Sequence, residues 1–345
     1  MDRVILHDES VFLTDPIFAA LMAQSTILVT GGAGFIGSHV CDTLLAEGFA
    51  VKCFDNFATG RHENIAHLTD QEGFTLVTGD LRVHADVLAA MKGVDKVVHL
   101  GAVGSVPRSI ADPLASEAAN LTGTLHVLEA CRSVGVQRLV YASSSSVYGD
   151  SQVLPKREGE EGHPLSPYAV TKAMDEAYAG LYKRLFGLPA IGLRFFNVFG
   201  ERQDPHGPYA AVIPCFIQSL VNHVAPQVHG DGGQTRDFTH VGNAVEAVLK
   251  ALTCSDTEAI GRVFNIALGN STSLLELLSG IRERLAVNDP VIGTIEAQHL
   301  ADRPGDVRAS MADITLAREL LGFDPPVDLA TGLDRTVAWY AAQPG

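Results

Sequence analysis

Apolar and polar positions fall into a repeating pattern over the first part of the chain. Short apolar runs at 26–30, 49–55, 74–78, 96–100, 138–143 and 189–193 read as strands. Helical periodicity fills most of the gaps, at 38–47 after the first run and at 120–133 before the fifth. Strands alternating with helices predict a parallel sheet covered on both faces. Such a sheet binds ligands at the carboxyl ends of its strands. Past residue 200 the pattern loosens. Segments 201–209 and 229–233 read as loops, and 242–253, 273–286 and 312–321 as helices. The expectation is an arm over 1–25, a sheet domain over 26–196 and a smaller mixed α/β domain over 197–345. The last two should interleave, because the sixth strand returns to the sheet.

The junction between the first strand and the first helix carries chemistry. Gly31, Gly34 and Gly37 stand in the run GGAGFIG, with Phe35 and Ile36 between the last two. Glycines there let the backbone approach a pyrophosphate. The helix N-terminus adds unpaired N–H groups and about half a positive charge. Asp55 closes the second strand, where a carboxylate accepts from the adenosine ribose hydroxyls and repels a 2′-phosphate. NAD is therefore favoured over NADP, with Arg61 in the loop beyond as the opposing sign. Asn56 follows directly. Asp80 and Leu81 stand after the third strand, where an aspartate can accept from the adenine amino group, and Leu100 ends the fourth. The fold class is α/β: a Rossmann-like doubly wound parallel sheet with a smaller C-terminal substrate domain.

A second constellation follows the fifth strand. Ser166 suits a helix N-cap and Pro167 the first helical position. Tyr168 and Lys172 then lie four apart on one helical face. A phenol is a poor base at neutral pH, and roughly 4 kcal/mol is needed to change that. One cation about 7 Å away supplies roughly 2.4 kcal/mol at an effective dielectric near 20. Lys172 and an oxidised nicotinamide ring together supply enough. Ser143 to Ser146 are consecutive serines at the carboxyl edge where a nicotinamide would lie, and a serine hydroxyl can share a substrate proton with Tyr168.

Charge and composition narrow the partners. Net charge is −15, from 25 Lys+Arg against 40 Asp+Glu. Such a chain is a poor binder of nucleic acid or anionic membrane, and a polyanionic substrate needs a local basic cluster. The five cysteines are scattered and never form CxxC, which predicts a reducing, cytoplasmic setting without disulfides. The 13 histidines show no ligand spacing, so no metal site is expected. No apolar run is long enough to span a membrane.

The glycine, serine and Tyr–Lys motifs, in this order, resemble the extended short-chain dehydrogenase/reductase family over nearly the whole chain. More narrowly, GSVPRS at 104–109, PLSPYAVTK at 164–172, LRFFNVFG at 193–200, RQDP at 202–205, AAVIP at 210–214 and GDVR at 305–308 are similar to bacterial UDP-N-acetylglucosamine 4-epimerases. The resemblance implies that Tyr168 removes the proton of the sugar C4 hydroxyl while hydride passes to NAD. The 4-keto sugar then rotates and is reduced on its other face. It implies Ser144 as the catalytic serine, with Ser145 beside it. Ser105, Asn197 and Val212 become substrate contacts, Arg236 and Arg303 diphosphate-binding groups and Asp306 a ribose contact. Ser310 takes the position of a hexose gate, where a small residue leaves room for a 2-acetamido group.

A homodimer through helices 112–132 and 168–185 is implied as well. UDP-glucuronic acid 4-epimerases are the alternative. A nucleotide-sensing regulator of the same fold would lack Tyr168 and Lys172. Dehydratases and decarboxylases carry carboxylates where this chain has Ser145 and Ser146. One departure is Gly101 in the stretch HLGAVGS, which predicts a looser loop and a weaker dinucleotide contact.

Overall fold

A computed structural model describes residues 25–206, 210–301 and 308–343. The expected arm lies outside them except for its last residue. The first apolar run forms β1 (Thr26–Thr30), which leads through the glycine turn into α1 (Phe35–Ala46). There follow β2 (Ala50–Asp55), β3 (Phe74–Thr78), α2 (His84–Ala90) and β4 (Lys96–His99). Next come α3 (Val106–Ala111), α4 (Pro113–Glu117), α5 (Gly123–Val134) and β5 (Arg138–Ser144). The helix α6 (Pro167–Phe186) precedes β6 (Ala190–Phe195) and the short β7 (Val198–Phe199). Beyond lie α7 (Val212–Val221), β8 (Gln227–His229), β9 (Thr235–Arg236), β10 (Thr239–His240) and α8 (Val241–Thr253). The chain closes with β11 (Val263–Ile266), β12 (Thr272–Ser273), α9 (Leu274–Ala286), β13 (Gln298–Leu300), α10 (Thr315–Leu321) and α11 (Leu329–Ala341).

Seven strands form one sheet in the order β11-β6-β5-β4-β1-β2-β3, and every pairing is parallel. The chain runs outward from β1 to β3, then crosses back to β4. A crevice opens at the carboxyl ends of β1 and β4, where the winding reverses. Sheet residues are apolar on both faces because both are covered. On one side α1, α8 and α10 pack over Ile27, Val29 and Val98. On the other, α2, α5 and α6 pack over Leu28, Val97 and Leu139. A separate core joins α7, α9 and α11 around Phe216, Leu277 and Leu333. Residues 241–266 thus serve the sheet, through α8 and β11, although they follow the second group's first strands.

Two expected helices differ. The single helix over 112–132 is divided into α4 and α5 by a π turn, Ala118–Thr122. That extra residue per turn is where Asn120 points inward, fully buried, to bind the loop at Val103 through Oδ1 (2.7 Å) and Nδ2 (3.2 Å). The helix expected from 312 starts at Thr315, because the Asp313 carboxylate accepts the Thr315 N–H at 2.9 Å and ends the preceding segment.

Candidate active site

Gly31, Gly34 and Gly37 of the glycine motif lie at the mouth of the β1/β4 crevice, which encloses about 380 Å³, while Gly32 does not line it. Gly31, Gly34, Phe35, Ile36 and Gly37 form one wall, Asp55 and Asn56 a second, and Asp80, Leu81 and Leu100 a third. Gly31 has φ +68°, and a Cβ there would stand 2.7 Å from the Gly101 Cα. A Cβ on Gly37 would stand 2.1 Å from the Gly31 carbonyl oxygen. The backbone is therefore bare along this wall. No side chain caps α1, so its first N–H groups face the crevice. Size, bare backbone and helix end fit a dinucleotide with its pyrophosphate at α1.

The departure at Gly101 has a packing cause rather than looseness. Its N–H donates to Thr30 Oγ1 at 3.2 Å, and its Cα lies under Gly31. Asp55 is fixed by its neighbours: Oδ2 accepts the Ala33 N–H at 3.0 Å and Oδ1 the Phe57 N–H at 2.8 Å. Arg61 pairs with Asp204 at 2.6 Å. Asp80 is more heavily engaged than expected. Its carboxylate accepts from the Arg82 guanidinium at 2.6 Å and from Asn56 Nδ2 at 3.0 Å. The Arg82 contact holds it well below the usual carboxylate range. An adenine amino group would share those oxygens with Arg82.

The β5 end and the α6 start bring the catalytic candidates together. Ser166 caps α6 by accepting the Ala169 N–H at 3.1 Å, and Pro167 opens it, as the sequence predicts. Tyr168 is half-buried at the first turn, its N–H donating to Ser109 Oγ at 3.0 Å. Lys172 is buried one turn on. Its ammonium donates to the Ala142 carbonyl at 2.9 Å and to Asp175 Oδ2 at 3.2 Å. Burial pulls the ammonium down, but the charges of Asp175 and Tyr168 outweigh it and hold Lys172 above its usual value. Ala142 also lines the crevice. His99, buried between Thr30 and Thr124, is pushed down to about 3 by burial and by Lys172, so it adds no second cation.

The serines separate by strand alternation. Ser144 accepts the Ser146 N–H at 3.2 Å and starts the turn Ser145–Tyr148. Ser143 points to the opposite face, where its hydroxyl donates to Glu176. There the buried Arg194 binds Glu176, Glu161 and the Tyr148 hydroxyl. Sequence reasoning missed this network and Asp175, although Asp175 stands three residues after Lys172 on the same helix.

The other substrate candidates are spread over several segments. Ser105 has φ +97° and caps α3. Asn197 has φ +36°, and its Nδ2 donates to the Asp237 carbonyl at 3.0 Å. Val212 is the first residue of α7. Arg236 ends β9, its guanidinium donating to the Thr235 carbonyl at 2.8 Å. Ser310 donates its N–H to the same carbonyl at 3.1 Å, beside that strand. Arg303 and Asp306 lie outside the described residues. Among the described residues, no group of His, Cys, Asp and Glu could hold a metal ion, and no helix is long and apolar enough to cross a membrane.

Winding, crevice and buried lysine define a class: an α/β enzyme that works through a bound dinucleotide. Residues 27–267 match the NAD dependent epimerase/dehydratase family. The UDP-glucose 4-epimerase of Mycolicibacterium smegmatis is 38% identical over 316 residues, 91% of this chain and 97% of that one. A solved UDP-N-acetylglucosamine 4-epimerase from Methanobrevibacter ruminantium, in complex with UDP-N-acetylmuramic acid, has a TM-score of 0.85 at 37% identity over 92% of this chain and 99% of that one. A UDP-glucuronic acid 4-epimerase from Bacillus cereus, solved with UDP-glucuronic acid and NAD, has a TM-score of 0.83 at 32% identity, with coverage of 92% and 99%. The chain belongs to the NAD dependent epimerase/dehydratase family, and NAD is its cofactor.

Proposed function

We propose that this chain interconverts UDP-N-acetylglucosamine and UDP-N-acetylgalactosamine, with UDP-glucose and UDP-galactose as further substrates. The chain is an NAD-dependent UDP-sugar 4-epimerase; the sugar is the finer step. Ser310 carries that step: it stands beside the Arg236 strand, at the position the resemblance makes a hexose gate, and a small residue there would leave room for a 2-acetamido group.

Bound NAD supplies the hydride acceptor and donor at C4. Tyr168 takes and returns the proton of the C4 hydroxyl, and Ser144 shares that hydrogen bond. Lys172, charged and dry, stabilises the phenolate that forms. The glycine wall and the α1 N-terminus hold the cofactor pyrophosphate. Arg236, together with Arg303, meets the sugar-nucleotide diphosphate, which an acidic chain can bind only through local cations. Ser145 and Ser146 stand where elimination would need a carboxylate, so the sugar keeps its oxygen at C6.

Apolar residues exposed on α3, α4 and α6 support a homodimer. Five free cysteines support a reducing compartment. The test is a panel of UDP-sugars with product separation. UDP-N-acetylglucosamine should yield its C4 epimer. Turnover of UDP-glucuronic acid alone would overturn the substrate assignment, and no turnover with NAD retained would favour a nucleotide sensor.

A further inference from the structure

Asp237 was singled out by no motif, yet three substrate candidates converge on it. The side chain is fully buried. Its Oδ1 accepts the Leu268 N–H at 3.0 Å, and its Oδ2 accepts those of Gly269 and Asn270, both at 3.1 Å, and of Ala312 at 3.2 Å. Three consecutive N–H groups make an anion-binding nest, here filled by a carboxylate of the chain itself. Burial pushes that carboxyl up to about 6, while the four donors pull the other way. Its carbonyl holds Asn197, as described above. Arg236 precedes it, and Ala312 stands two residues beyond Ser310.

We propose that Asp237 is the positioning residue of the sugar-nucleotide site, holding the segments that carry Asn197, Arg236 and Ser310 in one arrangement. The inference rests on the UDP-sugar reading. It separates substrate affinity from the rest of the machinery. None of the hydrogen bonds of Asp237 reaches the glycine wall, Tyr168 or Lys172.

Asp237→Asn keeps the volume but turns an amide NH₂ toward N–H donors. The variant should raise KM for UDP-N-acetylglucosamine and weaken UDP binding in calorimetry, each about tenfold or more. Its kcat should stay within about threefold and its NAD content should not change. A folded variant with parental KM and UDP affinity overturns the proposal. So does a parallel loss of kcat, NAD and UDP binding, which marks a merely structural role. Failure of the parent to turn over any UDP-sugar would count against the epimerase reading, while the UDP calorimetry still decides the role of Asp237. Should Asp237→Asn not fold, hydrogen exchange on the parent decides. Saturating UDP should slow the amides of 268–270 and 312 about tenfold or more, and unchanged exchange overturns the proposal.

Discussion

Lys172 carries its charge where water does not reach it, 3% exposed, and Asp175 is what makes that tenable. Removing one partner of a buried pair strands the other, which costs about 3 kcal/mol. Asp175→Asn should therefore lower unfolding stability by about that amount in denaturant titrations. It should also lower turnover, because burial then pulls the Lys172 ammonium toward neutrality beside Tyr168. Unchanged stability and turnover would show that the Ala142 carbonyl suffices. Ser310 is the position on which the proposed sugar preference turns. If it is the gate proposed above, Ser310→Tyr should lower activity on UDP-N-acetylglucosamine about tenfold or more relative to UDP-glucose. Equal loss on both sugars would argue against a gate.

The short strands β7 and β10 pair in parallel, and Glu201, two residues past β7, faces His240, the last residue of β10. His240 Nδ1 accepts the Gly242 N–H at 3.1 Å, and its Nε2 stands 3.2 Å from Glu201 Oε2. Burial alone would push the Glu201 carboxyl up. The His240 ring and the backbone reverse that and bring it down to about 2. A carboxyl depressed on folding stabilises above its unfolded value and loses that effect as pH falls through its folded value. Glu201→Gln should thus cost about 1 kcal/mol at neutral pH and match the parent near pH 2. An equal deficit at both pH values would remove the Glu201–His240 contact from the account.

The elements themselves were legible where one physical pattern dominates. Buried parallel strands read as apolar runs, and Ser166 with Pro167 marks the start of α6. The π turn was not legible, since its cause is Asn120 reaching Val103, 17 residues back. Asp237 escaped for the same reason: its partners lie 31 to 33 and 75 residues away. Local motifs reveal the cofactor wall, which one turn builds. They do not reveal a hub assembled from separate strand ends.

At the scale of the whole molecule, one apolar surface is left uncovered among the described residues. Leu114 is 79% exposed on α4 and Ile110 62% on α3, and both helices pack against α6. On α6, Val170 and Met174 are exposed four residues apart, on one face. These residues form the surface proposed above for a homodimer. A two-fold interface is self-complementary, so each substitution enters it twice. Met174→Glu therefore brings two like charges toward the axis and should leave the chain monomeric in sedimentation equilibrium at micromolar concentration. Net charge strengthens the argument. A chain of −15 associates only where apolar burial outweighs mutual repulsion. Raising salt from about 0.05 M to about 0.5 M screens that repulsion and should tighten the proposed association of the parent. The Met174→Glu pair should recover only in part, because its two carboxylates would still lose water on burial. A parent that sediments as a monomer at both salt concentrations would leave this surface without the proposed partner.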